Sequence, residues 1–339
     1  MKKEALLYTK LSHGEVQCHT CQRRCTIPEG KMGWCHTRVN EGGVLYSVIY
    51  GEVSSLSINP IEKKPVFHFY PGSKWLSLGS WGCNFRCPGC QNWEIAHWRG
   101  KRFEKIHYLS PMDQVKMALH HRCRGLSWTF NEPTLWFEYT LDTAQFAKER
   151  GLYTNYVTNG FITEEALALL VPYLDVYRVD IKGFSNTVYQ KIANLTDFNG
   201  ILKSAEKALH HGIHVEVVTN IIPGFNDDER QLRGIASWIK NILGEDIPWH
   251  VTRFHPHLRL SQLSPTQVST LEYARDIGID SGLRYVYIGN VAGHEAENTY
   301  CHNCSILLIK RDVFDILENR IKEGQCPQCS SKIPGKFND

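Results

Sequence analysis

Seven short runs rich in β-branched and aromatic residues recur along the chain, at 75–80, 125–130, 154–159, 176–181, 214–220, 249–254 and 285–290, with amphipathic stretches between them. In one of these stretches Leu232, Ile235, Ala236 and Ile239 fall at i, i+3, i+4 and i+7, which is one face of a helix. Two helix starts are marked by Ser110-Pro111-Met112-Asp113 and Ser264-Pro265-Thr266-Gln267. Each has a capping serine, proline at the first helical position and an acid or amide three residues past the cap. Strands alternating with helices predict parallel β/α units. The expected fold class is therefore α/β, a partial or near-complete (β/α) TIM-type barrel.

Functional groups of such folds gather at the C-terminal ends of the strands. There the chain carries Asn131-Glu132-Pro133, Thr158-Asn159-Gly160, Asp180-Ile181-Lys182-Gly183, Thr219-Asn220-Ile221-Ile222-Pro223-Gly224, Arg253-Phe254-His255-Pro256 and Gly289-Asn290. Any one of these alone reads first as a strand-ending turn. Their recurrence after successive strands points to a functional rim.

The chain has 339 residues, 42% of them hydrophobic and 22% charged, which excludes collagen-like, low-complexity and largely disordered polypeptides. A net charge of +3 supplies no bulk attraction to nucleic acid or to a membrane surface. No apolar run reaches 18 residues, and Met1 to Val16 lacks the core of an export signal. The expected compartment is a reducing cytoplasm, where 12 cysteines read as metal or cluster thiolates rather than disulfides.

The cysteines fall into groups. Cys301-x2-Cys304 and Cys326-x2-Cys329 are two knuckles separated by a stretch that reads as short strands, so they predict a closed tetrahedral site, zinc or rubredoxin-type iron. Cys18-x2-Cys21-x3-Cys25-x9-Cys35 is a second closed quartet. Zinc is the metal expected there, with an auxiliary iron–sulfur cluster as the alternative that spacing alone leaves open. Cys83-x3-Cys87-x2-Cys90 differs, because three thiolates can hold three irons of a [4Fe–4S] cluster and leave the fourth open to an exogenous ligand. Cys123 stands alone and reads as a packing residue. The domains expected are a Cys-rich metal-binding region over 1–72, the barrel core over 73–295, and a zinc-ribbon or rubredoxin-like module over 296–339. Glu62, Lys63, Lys64 and His68 read either as a substrate or interdomain surface or as a solvated charged turn.

The triad after the first strand of a β/α series resembles the radical S-adenosylmethionine (SAM) superfamily. Within it the chain resembles the AmmeMemoRadiSam system radical SAM enzymes, which are similar to pyruvate formate-lyase activating enzyme. The likeness runs through Gly30-Lys31-Met32-Gly33-Trp34-Cys35, Pro60-Ile61-Glu62-Lys63-Lys64-Pro65, Gly82-Cys83-Asn84, Cys90-Gln91-Asn92-Trp93, Asn131-Glu132-Pro133-Thr134, Thr158-Asn159-Gly160, Asp180-Ile181-Lys182 and Glu297-Asn298-Thr299-Tyr300-Cys301. It implies a [4Fe–4S] cluster on Cys83, Cys87 and Cys90 that chelates SAM and cleaves it to methionine and a 5′-deoxyadenosyl radical, which takes hydrogen from a substrate. By the same resemblance Asn131, Glu132 and Pro133 fall where the methionine amino group is bound, and Asn159, Asp180 and Lys182 where ribose and carboxylate contacts are usual. Ile222 and Gly224 fall where backbone meets adenine. The resemblance also implies an electron donor such as flavodoxin or ferredoxin, and AMMECR-like and Memo-like partner proteins.

Three positions depart from the pattern. Gly89 stands where an aromatic residue is common, Thr129-Phe130-Asn131 replaces a double glycine, and Asn59 stands where aspartate is commoner. Three functions compete: a radical SAM enzyme acting on a metabolite or, as an activase, on a partner protein; a metal-stabilised nucleic-acid-binding protein; and a zinc hydrolase. The near-neutral charge disfavours the second. The lack of a HExxH-type or His-rich open site disfavours the third.

Overall fold

The computed structural model describes residues 1–99 and 107–337. Each of the seven runs forms a strand: β1 (Lys74–Gly79), β2 (Gly125–Trp128), β3 (Tyr153–Thr158), β4 (Val176–Asp180), β5 (His214–Ile221), β6 (Trp249–Arg253) and β7 (Val286–Gly289). They lie in chain order in an eight-stranded sheet, with Ser55–Pro60 at the edge beside β1 and β7 at the other edge. The pairs β1–β2, β2–β3, β5–β6 and β6–β7 are parallel. The fold is α/β with a parallel central sheet, as expected. The strands read as continuous apolar runs because both faces are covered: every residue of β2, and β1 from Trp75 onward, is buried.

The helices between strands follow from their caps. Ser110 accepts a hydrogen bond from the Asp113 N–H and opens α1 (Pro111–His120) as predicted. The second predicted start fails. Thr266 is fully buried, and its hydroxyl donates to the Ile221 carbonyl at 2.6 Å while accepting from the Phe254 N–H at 3.0 Å. Those bonds hold the segment to the strand ends, so the helix begins only at Val268 and runs to Asp280. Among the described residues no helix is long and apolar enough to cross a membrane.

By contacts the chain divides into two units. The first comprises Met1–Ile58, Trp75–Tyr177 and Asn199–Ile213, the second Asn59–Lys74, Arg178–Phe198 and His214–Asp339. In the first, Cys18 ends a strand of a three-stranded antiparallel sheet of Tyr8–Lys10, Val16–Cys18 and Thr26–Ile27, and a second such sheet comprises Lys3–Glu4, Val44–Ser47 and Arg38–Glu41. The second sheet is fastened to the helix Phe137–Glu149 by a bidentate pair, Arg38 to Glu138, both bonds 2.9 Å and both side chains buried. In the second unit the strands Leu307–Asp312 and Asp315–Asn319 form an antiparallel hairpin between the two C-terminal knuckles.

Candidate active site and metal centres

Cys83, Cys87 and Cys90 lie on the loop leaving β1. Asn131, at the end of β2, holds that loop at both sides: its Oδ1 accepts from the Ser80 N–H at 3.0 Å, and its Nδ2 donates to the Gly82 carbonyl at 2.9 Å. Asn92 Nδ2 returns a bond to the Phe130 carbonyl at 2.7 Å. Phe130 itself adopts φ +71°, a conformation natural to glycine, where the family pattern has its double glycine. At the end of β3, Asn159 Nδ2 donates to Asn84 Oδ1 at 2.7 Å. The structure thus brings Asn131 and Asn159 to the cysteine loop.

Glu132 is buried, and its carboxylate accepts from the Thr134 N–H (3.0 Å) and hydroxyl (2.6 Å), the Thr158 hydroxyl (2.7 Å) and the Asn159 N–H (2.8 Å). Three of these bonds converge on Oε1 and one on Oε2, so Oε2 keeps a free acceptor position. Burial pushes its carboxyl up, and the same hydrogen bonds oppose the shift. In this structure Glu132 fixes the ends of β2 and β3 to each other. Pro133 opens the short 3-10 helix Pro133–Trp136 that follows.

The cysteine loop also leans on the N-terminal quartet. Gly82 sits at φ +82°, and a Cβ there would stand 2.8 Å from the Cys35 carbonyl and 2.5 Å from Thr37 Cγ2, so only glycine fits. Arg23 Nε donates to the Asn84 carbonyl at 2.7 Å, and Arg86 donates to the carbonyls of Cys83 (2.6 Å) and Trp34 (2.9 Å). Both guanidinium groups lie over the Trp34 ring, 4.4 and 5.6 Å from its centre. Burial and the neighbouring thiol of Cys87 push the Cys83 thiol well above its ordinary range, so an ionised sulfur there needs positive charge beside it.

In the second unit Asp180, at the end of β4, is clamped between Arg178 and Lys182, the latter at 2.9 Å. Burial would raise its carboxyl, but the two cations win and hold it below the usual range. Asn226 organises the loop after β5: its Oδ1 accepts from the Ile222 N–H at 2.6 Å and its Nδ2 donates to the carbonyls of Asn220 and Lys182, both at 2.9 Å. The Gly224 N–H donates to Asp227 at 2.9 Å. The backbone N–H groups of Ile222 and Gly224 are therefore already bonded within their own turn.

The C-terminal quartet is compact. Cys301 Sγ lies 3.6 Å from Cys329 Sγ and Cys304 Sγ 3.7 Å from Cys326 Sγ, and all four sulfurs lie within 4.8 Å of one another. The two knuckles share one turn: Ser305 N–H bonds the Cys301 carbonyl and Ser330 N–H the Cys326 carbonyl, each at 2.9 Å, with both serines at positive φ. The reading of this stretch as a solvated charged turn fails at Glu62, Lys64 and His68, which are 1, 4 and 1% exposed, and holds for the exposed Lys63. His68 belongs to a buried network built on Glu216, which accepts from the N–H groups of Phe67 and His68 and from His214 and His250. His68 Nδ1 faces the Pro334 carbonyl at 2.7 Å, which can only accept, so Nδ1 carries the proton and Nε2 accepts from Tyr287. Burial holds the His68 ring neutral, down to about 4.

With the geometry in place, the chain can be set against known proteins. Residues 80–236 match the Radical SAM superfamily. A relative from Methanocaldococcus jannaschii, the uncharacterized protein MJ0808, is 43% identical over 335 residues, 98% of each chain. The chain belongs to the radical SAM superfamily. The pyruvate formate-lyase-activating enzyme of Clostridium pasteurianum is 26% identical over 189 residues, 53% of this chain and 77% of that enzyme. In fold the chain is similar to a radical SAM methyltransferase from Sphaerobacter thermophilus, with a TM-score of 0.52 at 14% identity, covering 66% of this chain and 68% of that one. As a radical SAM protein the chain is an enzyme, and the readings as a nucleic-acid-binding protein or a zinc hydrolase fall away.

The cysteine loop fits the cluster that the superfamily implies. Among the described residues no three sulfurs of Cys83, Cys87 and Cys90 gather within 4.8 Å as the C-terminal ones do, a spread that suits separate irons better than one ion. Sequence reasoning missed Asn226, Arg178 and the Arg23–Trp34–Arg86 stack. Asn226 had a signal, an Asn-Asp-Asp turn directly after the β5 motif. The stack joins residues far apart in sequence and had none.

Proposed function

We propose that this radical SAM enzyme uses a 5′-deoxyadenosyl radical to take a hydrogen atom from an organic substrate. The observation that supports this reading is the three-cysteine loop after β1, held by Asn131 and, through Asn84, by Asn159. When bound, the [4Fe–4S] cluster and SAM supply one-electron reductive cleavage of the sulfonium. The residues supply position: Cys83, Cys87 and Cys90 hold the cluster, and Asn131, Glu132 and Pro133 shape the turn meant for the methionine amino group. Asn159, Asp180 and Lys182 serve ribose and carboxylate, with Lys182 as a point charge. Ile222 and Gly224 offer backbone to adenine. Since their N–H groups are taken, that contact falls to the carbonyls and the Gly224 Cα.

In this reading the chain divides at about residues 72 and 295 into metal-binding ends and barrel core, and works in a reducing cytoplasm with a flavodoxin or ferredoxin as electron donor. The C-terminal quartet holds zinc: thiolates about 2.3 Å from one ion stand about 3.8 Å apart, which the 3.6 and 3.7 Å separations match. A second reading, activation of a glycyl-radical enzyme, is favoured by the similarity to the Clostridium pasteurianum activating enzyme. AMMECR-like and Memo-like proteins are the partners that the closer resemblance suggests.

Anaerobic reconstitution with SAM and dithionite tests the reading. Wild-type protein should release 5′-deoxyadenosine, and Cys83→Ala, Cys87→Ala and Cys90→Ala should lose it by at least about a hundredfold, in line with removal of an essential cofactor ligand. Equal yields would refute the mechanism. Deuterium entering 5′-deoxyadenosine from a labelled glycyl-radical partner, and not from metabolites, would favour the activase.

A further inference from the structure

We propose that the N-terminal quartet, Cys18, Cys21, Cys25 and Cys35, holds a second [4Fe–4S] cluster rather than a single metal ion. The two four-cysteine groups have the same donors and different spacing. Among the described residues the C-terminal thiols gather within 4.8 Å of one another, and no three of the N-terminal thiols do. Those four instead line the wall of one pocket, together with Asn84 and Arg38. Thiolates spread over the wall of a cavity suit a cube that presents a separate iron to each. One ion at about 2.3 Å from every sulfur would need them drawn to a point.

A second observation points to what fills the cavity. Asn84 and Arg38 are 0 and 1% exposed, and each keeps one buried donor, Asn84 Nδ2 and Arg38 Nε, without a hydrogen-bond partner. An unpartnered buried donor costs about 1–3 kcal/mol. An iron–sulfur cluster carries inorganic sulfides that accept such bonds, whereas a lone zinc ion brings no acceptor of its own. The Thr37 hydroxyl already donates to Cys35 Sγ at 3.1 Å, the kind of contact that tunes a cluster.

Four thiolates leave no iron open, so this cluster does not chelate SAM. It adjoins the catalytic one: Asn84, on the cavity wall, directly follows Cys83 and accepts from Arg23 and Asn159. Gly82 packs against the Cys35 carbonyl from the other side. The inference stands independently of SAM cleavage, because it concerns what the quartet binds.

The test removes the catalytic cluster and leaves the quartet intact. After anaerobic reconstitution, wild type should carry about eight irons and eight acid-labile sulfides per chain, and the Cys83→Ala, Cys87→Ala, Cys90→Ala triple variant about four of each. The remaining cluster should show a reduced-state EPR signal and a Mössbauer spectrum of the four-iron type, and SAM should leave both unchanged. A triple variant with no iron and two zincs per chain, as in wild type, would overturn the proposal, as would two irons per chain or iron without sulfide. Cys21→Ser with Cys35→Ser should do the reverse, losing the SAM-insensitive signal and keeping the SAM-sensitive one.

Discussion

The two ends of the chain each bring four cysteines together, and they do so by different means. At the C-terminal end the knuckles are self-contained: each closes on its own backbone bonds, and Cys301 and Cys326 sit in an apolar cluster with Phe67, Tyr285, Tyr287, Leu308, Ile309, Ile321, Ile333 and Phe337. At the N-terminal end Cys18 packs with Ala5, Val16, Ile27 and Leu45, with Tyr8 and Cys25 against them, and the four thiols line a pocket that also reaches Asn84 of the cysteine loop. Identical donors therefore do not imply identical contents. A closed turn presets the spacing for one ion, while a pocket wall shared with the active-site loop holds the thiols farther apart.

The largest expected effect breaks this contrast at its C-terminal side. A structural zinc in such a site supplies on the order of 10 kcal/mol of apparent folding energy. Removing it with a chelator, or by Cys326→Ala, should expose the hairpin Leu307–Asp312 and Asp315–Asn319 to limited proteolysis and leave the iron content unchanged. A hairpin that stays protease-resistant without zinc would mean that the apolar cluster alone holds the module, and the contrast would fail.

Much of this architecture is legible in the sequence. All seven strands and each cysteine group could be read from periodicity and spacing, because alternation of buried strands with helices and C-x2-C turns are local signals. What fastens the ends could not be read. Arg38 and Glu138 are 100 residues apart, and Phe67 and Glu216 are 149 apart. Such pairs depend on which strands end up adjacent, which no local window records. The charged stretch Glu62 to His68 was ambiguous for the same reason: its charge suggested solvent, whereas the long-range partner Glu216 holds His68 buried. Ser264 likewise had the right local signature for a cap and lost to the strand-end bonds of Thr266.

The next effect lies on the N-terminal side. The pair between Arg38 and Glu138 is buried and bidentate, so removing one partner leaves the other charge stranded, at about 3–5 kcal/mol. Glu138→Ala should lower the unfolding free energy obtained from urea titration by that amount. Arg38 also lines the thiol cavity, so the same variant should reduce the iron bound by the Cys83→Ala, Cys87→Ala, Cys90→Ala background. Loss of stability with full iron retention would separate the fastening from the cluster site.

The smallest effect concerns how the C-terminal end is fastened, and it reads out through pH. Glu62 is buried, with Oε1 accepting from the Gly72 N–H at 2.9 Å and Oε2 without a hydrogen-bond partner. Burial pushes its carboxyl up to about 7, and Arg311 only partly offsets this. Between the unfolded value of 4.5 and about 7 the folded chain holds a proton that the unfolded chain has released, so stability falls as pH rises through that window. Glu62→Gln keeps the acceptor for Gly72 and removes the titration. Its gain over wild type should therefore be small near the low end of the window and grow to about 2–3 kcal/mol above it. Urea midpoints of zinc-loaded wild type and variant at both ends of the window measure this, and a difference independent of pH would mean that Glu62 is ionised in the folded chain and that the Arg311 charge, rather than burial, governs it.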